Sequence, residues 1–286
     1  MTTAPGSLYQ IGVITRLTFH EARRRKLLWL GLAMGLAFIA LFSTGFYFAY
    51  SDFTRNMDRM TGREFTMFAS TFLTIGLYVV NFLVVMVTVL TVVGTISSEI
   101  ANNTIHAIAA KPIRRWEIVL GKWLGHASMM TLYTAMLALG VMIPIFVITG
   151  YLPPNPLGGL LTLILESLTV LSVTLLGSTI LGTLANGVLC FMLYGVAFVG
   201  GWVEQIGTLF NSQTARDIGI AASLLMPSEA LWRYAATLMQ PATLFGLQIS
   251  PFSVTSQPSP AFVVYAGIYT LALLGLAMWV FSRRDF

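Results

Sequence analysis

Charge is what this sequence has least of. Asp, Glu, Lys and Arg together make up 9% of its 286 residues, against roughly 25% in soluble domains. With 56% hydrophobic residues and a mean hydropathy of +0.80, the composition excludes a soluble enzyme. A lone cysteine, Cys190, excludes an intrachain disulfide framework, and with three scattered histidines it makes no sequence-local metal site. No G-x-x-x-x-G-K-[ST] phosphate loop is present. The one Gly-Lys pair, Gly121-Lys122, is followed by Trp123 and lacks the upstream glycine, so the chain cannot hydrolyse ATP by that route. Paired catalytic carboxylates, a His-Glu-x-x-His motif and a Ser/His constellation are equally missing at spanning depth, which ranks a membrane-embedded enzyme last among the function classes.

What is present is a series of long apolar runs, the pattern of an all-α, polytopic membrane protein; a β-barrel would alternate apolar and polar in segments of about 10 residues. Six spans are predicted. The first, Leu27 to Tyr50, is about 36 Å long as a helix, and its preceding segment and lack of a small-residue cleavage site mark a retained helix, not a secretion signal. Spans two and three run from about Met67 to Ile96 and from about Ile118 to Ile148, the latter with Pro144 near its far end. Span four follows the turn Pro153-Pro154-Asn155-Pro156, from about Leu157 to Ile180. No charge separates it from span five, so the intervening turn falls somewhere between Gly177 and Gly187, with span five reaching Trp202 or a little beyond. Span six follows Pro258-Ser259-Pro260 and ends at Phe281.

Six spans put both termini on one side. That side carries eleven basic residues: Arg16, Arg23, Arg24, Arg25, Lys26, Lys111, Arg114, Arg115, Lys122, Arg283 and Arg284. The other carries five: Arg55, Arg59, Arg63, Arg216 and Arg233. The excess makes the termini cytoplasmic, and the net charge of +5 then reflects anchoring to the membrane, not nucleic-acid binding. Residues 1–26 predict an interfacial helix in which Arg16, His20 and Arg23 share one face and Ile11, Ile14, Thr18 and Ala22 lie opposite; Arg24, Arg25 and Lys26 complete its basic end. The outer segment 203–257 predicts short helices on the outer surface, one from Glu229 to Met239 with Ser228 as N-cap and a stop at Pro241.

The cytoplasmic loop between spans two and three, 97–117, carries the most information. Asn103 tolerates positive φ, Asn103 or Thr104 can cap a short helix, and that helix must end before Pro112. Rigidly joined to two spans, such a loop is suited to pass on a push from a cytoplasmic partner; an ordinary amphipathic connection touching lipid headgroups is the other reading of the same spacing. The order Glu99, Asn103-Thr104, Lys111-Pro112-Ile113, Arg115, Glu117-Ile118 and Leu120-Gly121-Lys122 resembles the signature loop of ABC-2 type permeases, and Arg114 is grouped with these residues as a coupling candidate. It is similar in particular to the six-span permeases related to that of the nitrous-oxide-reductase maturation transporter. The likeness extends to the amphipathic amino terminus, to Leu224-Leu225-Met226-Pro227-Ser228 with Trp232-Arg233, and to the closing Phe281-Ser282-Arg283-Arg284. Where the family has glycine before the threonine, this chain has Asn103. The resemblance implies one transmembrane domain over 1–286, placed in the cell inner (cytoplasmic) membrane. It implies that the loop is a coupling helix seated in a groove of a separate P-loop ATPase, with two permeases and two ATPases per transporter. It also implies that this chain carries no cofactor, ATP and Mg being bound by the partner, and that the role is export or maturation of an unidentified substrate. A stand-alone secondary transporter or channel is the rival class; it requires an ionisable pathway, for which the spans offer Glu166 with no basic intramembrane partner.

Glu166 is the one formal charge well inside a predicted span, roughly 9 to 14 Å from the outer end of span four. It faces a cavity or partner, or is a hydrogen-bonded structural glutamate. Asn81 reads as interhelical glue. Ser167, Thr174 and Ser178 fall on one side of span four and, with Asn81 and Glu166, form the candidate translocation path; the alternative is that each satisfies its own helix backbone. Gly31 and Gly35 form a G-x-x-x-G that permits close approach of another helix, including a second copy. Glu204 and Gln205 are expected at the solvated outer interface, and His20, His106 and His126 in solvated or capping roles.

Overall fold

Every peptide group in the bilayer core must be satisfied within its own segment, so apolar runs of this length fold as helices. The computed structural model describes residues 7–24, 26–56, 62–101, 114–241 and 257–284, and the described residues form ten helices in chain order. They are α1 (Ser7–Arg24), α2 (Lys26–Asn56), α3 (Gly62–Val92), the short α4 (Ser97–Ala101) and α5 (Arg115–Thr149). The chain continues with α6 (Pro156–Ile180), α7 (Thr183–Leu209), α8 (Gln213–Leu225), α9 (Ser228–Met239) and α10 (Ala261–Ser282). Six stretches are long and apolar enough to span a membrane: α2, α3 with α4, α5, α6, α7 and α10. The unmarked turn between spans four and five is two residues, Leu181 and Gly182.

The helix ends follow from local chemistry. Glu117 accepts from the Arg114 N–H at 3.0 Å and fixes the start of α5, while Gly150, at φ +70°, closes it. The Asn155 side chain accepts from the Gly158 N–H at 2.9 Å and Pro156 occupies the first turn of α6. One expected cap is corrected. Ser228 is the first residue of α9, Pro227 occupies the cap position without a side-chain hydrogen bond, and Ser228 Oγ is buried with no partner among the described residues.

Helices α3 and α6 form the interior, each 67% buried along its apolar window, whereas α2, α7 and α10 are 11%, 28% and 22% buried and form the rim. Helix α6 touches α3, α5, α7, α9 and α10. Gly31 and Gly35 are used inside the chain: a Cβ at either would lie 2.8 Å from Val87 Cγ2 or Leu137 Cδ2. They seat α2 against α3 and α5, and so they offer no contact to a second copy. Phenylalanines extend this seam, with Phe46 1% exposed and Phe53 stacked on Phe68 at 4.2 Å between ring centres.

The stripe of α1 read as opposite its basic face is turned inward. Ile11, Ile14, Thr18 and Ala22 are all buried. They meet protein: α1 lies along the start of α5, where a Cβ on Gly121 would sit 2.7 Å from Ile14 Cβ and one on Gly125 2.8 Å from Thr18 Cβ. The Thr15 hydroxyl donates across this crossing to Gly121 O at 3.2 Å. Gly125→Val is expected to force the helices apart at a cost of about 1–3 kcal/mol. A lowered Tm in detergent, with faster proteolysis between α1 and α2, would confirm the crossing; an unchanged Tm would refute it.

Candidate functional site

Two sets of polar side chains lie buried in an otherwise apolar chain, at opposite ends of the spans. The first gathers around the loop 93–114. Lys122, in the second turn of α5 and only 4% exposed, donates from Nζ to Glu99 Oε1 of α4 at 2.5 Å and lies 3.9 Å from Glu21 Oε2 of α1. One ammonium thus joins both ends of the loop to the amino-terminal helix. Below it, His126 contacts Lys122 O at 2.9 Å through Nδ1 and Thr95 Oγ1 at 3.3 Å through Nε2. His126 is therefore a buried bridge between α5 and the turn after α3, not the solvated group expected.

Neighbouring contacts bring the carboxyl-terminal end and the α6–α7 turn to the same place. Arg115 donates to Arg284 O, Arg284 donates to Thr179 O, and Ser97 Oγ and Thr183 Oγ1 are 2.9 Å apart. Both described ends of the chain therefore share one face of the bundle with the loop. Of the coupling residues predicted from sequence, Glu99, Arg114, Arg115, Glu117 and Lys122 are described; Glu99, Arg115 and Lys122 hold the loop's ends to other elements, and Glu117 caps the start of α5 at Arg114; Asn103, Thr104, Lys111 and Pro112 lie outside the described residues. Arg24 and Arg25, predicted in the basic end of α1, have no described side chains, while Arg16 and Arg23 are exposed as expected.

The second set lies toward the other end. Arg233 of α9 is 1% exposed; its Nη2 donates to Glu204 Oε2 of α7 at 2.7 Å and reaches Ser223 Oγ of α8 at 3.5 Å. Glu204 is thus a buried ion-pair partner, correcting the expectation of a solvated interface residue: α8 and α9 fold back over the end of α7 and exclude water from it. Glu229, one turn before Arg233, is 2% exposed. Burial first, then the Glu204 charge, push its carboxyl from 4.5 up to about 8 against the opposing pull of Arg233. On the facing spans, the Asn81 amide, oriented to satisfy both groups, donates to both oxygens of Glu166 at 2.8 Å each. Gln240 Nε2 donates to Thr74 Oγ1 at 3.1 Å and ties the end of α9 to α3.

The five residues grouped as a candidate path are all buried inside the bundle, with Ser167, Thr174 and Ser178 fully so. Their hydroxyls donate to their own helix, to Ile164 O, Val170 O and Leu175 O, so the alternative reading describes their present state. Sequence reasoning missed Glu21, the Arg233–Glu204 pair and Asn186, whose Nδ2 donates to Val93 O at 3.0 Å and Thr174 O at 2.9 Å. The signal for the pair was two charges within an apolar outer segment. Among the described residues no group of His, Cys, Asp and Glu could hold a metal ion.

A helical bundle with six helices long and apolar enough to cross a membrane defines a polytopic membrane protein. A family profile described as ABC-2 family transporter protein matches residues 13–286, and the chain belongs to that family, as the membrane component of an ATP-binding-cassette transporter. The match is to the family as a whole and does not single out the nitrous-oxide-reductase maturation group. No curated protein matches the chain significantly.

Two outcomes test the outer cluster. Arg233→Met leaves the Glu204 charge buried and unpaired and is expected to cost about 3–5 kcal/mol. Adding Glu204→Gln should recover most of that loss; a double variant as unstable as the single one would show that Glu204 is not the partner. Glu229 binds its proton more tightly when folded, so the stability it contributes is complete below about 4.5 and is lost as pH rises to about 8. The slope is up to about 1.4 kcal/mol per pH unit. Glu229→Gln should flatten the fall in Tm across that window, and an unaltered pH profile would remove Glu229 as its source.

Proposed function

We propose that the chain is the membrane-spanning half of an ATP-driven exporter. It works as a pair of identical copies with two separate P-loop ATPase subunits that bind the ATP and Mg, and it has cytoplasmic termini in a cell's inner membrane. The observation that carries this reading is the Lys122 brace. A loop that merely connected two spans would need no buried ion pair fixing both its ends to a third element, whereas a loop that receives a push must not yield where it joins the bundle. In this arrangement the segment bearing Asn103, Thr104, Lys111 and Pro112 meets the ATPase. Glu99, Arg115, Glu117 and Lys122 carry its displacement into α3, α5, α1 and the end of α10, with Arg114 at the junction.

The positive-inside bias supports placing this face in the cytoplasm, with α1 and its exposed Leu8, Val13 and Leu17 along the membrane surface. The poorly buried apolar faces of α2, α7 and α10 leave room for both lipid and a second copy, and substrate passage is placed between copies, since the polar residues within one copy are closed off. Alternating states of the pair would then be biased by the ATPases.

Association and coupling should separate by mutation. Lys111→Glu is expected to weaken co-purification with the P-loop ATPase. Lys122→Met should leave co-purification intact but lower transport-linked ATP hydrolysis by about tenfold or more, the effect of losing about 1.4 kcal/mol or more of coupling. Full transport by Lys122→Met, or transport by the purified chain on an ion gradient without any ATPase, would overturn the proposal.

A further inference from the structure

Beside the α1–α5 crossing lies an apolar slot of ≈ 150 Å³, formed where α1, α2, α3 and α5 meet. Its walls include Leu28 and Leu32 of α2, Val87 of α3, and Met129 and Met136 of α5. Tyr133 also lines it, but its hydroxyl is committed to Gly31 O at 2.9 Å. The remaining polar group is the Arg23 guanidinium, on the exposed rim, with no ion pair or side-chain hydrogen bond among the described residues. A second, wider hollow of ≈ 410 Å³ adjoins the slot across Phe19, which lines both, and its rim carries Arg16 and His20. The basic face of α1 thus runs along two apolar hollows.

We propose that the slot holds an acyl chain of an anionic phospholipid from the adjoining leaflet, with the headgroup phosphate on Arg23. Cavities of about 150 Å³ lined by aliphatic and aromatic carbon stay dry and take apolar guests, so the slot suits a segment of one chain and the wider hollow its neighbour. Methionine walls adapt to such a tail. Charge decides the headgroup: an exposed guanidinium at a membrane edge attracts phosphate lipids and gains little from a zwitterion whose own cation opposes it. The lipid would bridge α1 to three spans at the joint that Lys122 braces, and would stiffen that joint without contacting the ATPase.

The site is tested on the purified full chain by native mass spectrometry and thermal melting, with dioleoyl-phosphatidylglycerol and dioleoyl-phosphatidylcholine as probes. Wild type is expected to retain one phosphatidylglycerol per chain under conditions that strip phosphatidylcholine, and to melt higher with it. Arg23→Gln, at an exposed position, should lower phosphatidylglycerol retention by about tenfold, the loss of one charge-assisted contact, and leave melting in phosphatidylcholine unchanged. Arg283→Gln, outside the slot, should retain the lipid as wild type does. Leu32→Trp should fill the slot and abolish phosphatidylglycerol retention. Equal retention of the two lipids by wild type, undiminished phosphatidylglycerol on Arg23→Gln, an equal loss on Arg283→Gln, or displacement of the lipid by oleate alone would each overturn the proposal.

Discussion

A charge withdrawn from water must be neutralised by a partner held in place, because an unpaired one costs several kcal/mol. That constraint decides where the helices of this chain can meet. With so few charged residues, the two ends of the bundle are each organised by one buried cation: Lys122 gathers α4 and α1 around the start of α5, and Arg233 gathers α7 and α8 around α9. Apolar packing alone would let helices slide, since lipid tails solvate a leucine face about as well as another helix does. The ion pairs remove that freedom at both ends, while closely seated glycines and hydroxyl contacts such as Thr169 with Thr270 fix the middle.

The spans, their order and the buried stripe of α1 were legible in the sequence because each rests on a local periodicity or a run of about 20 residues. The position of the loop followed in the same way. What could not be read are the partnerships across the chain. Glu204 and Arg233 stand 29 residues apart, and nothing in their flanks says that α8 and α9 double back to bury them. His126 looks like a residue at a span's wet end until Thr95, in the turn after α3, is set against it. The G-x-x-x-G of Gly31 and Gly35 correctly predicts a close approach but not which helix approaches. Glu166 was visible as an anomaly, and Asn81 as another, yet their pairing required two spans to be set side by side in the right rotation.

Burial is unevenly shared, and the inequality bears on how the proposed push would travel. The two helices most enclosed, α3 and α6, are also those that hold the Asn81–Glu166 contact. Helix α3 leads from Thr74 and Asn81 to the turn before α4, so under the proposal a displacement entering near Glu99 would reach the outer polar set through one enclosed helix. Neighbours confine α3 on most sides, and a confined rod transmits axial shift better than tilt.

The helix is interrupted once on that route, at residues 93–96, where α3 ends and α4 has not begun. A break in helical bonding within an apolar setting frees backbone groups that must find other partners. Here Val93 O accepts from Asn186 Nδ2 of α7, Ser97 Oγ meets Thr183 Oγ1, and the Ser98 N–H still reaches Gly94 O at 3.1 Å. The same Asn186 amide holds Thr174 O of α6. A joint braced in this way can bend only by carrying the first turns of α7 with it. The interruption in α3 therefore links the loop to span five as well as to spans two and three, and span five is one of the poorly buried rim helices, the kind of surface on which the proposed second copy would have to act.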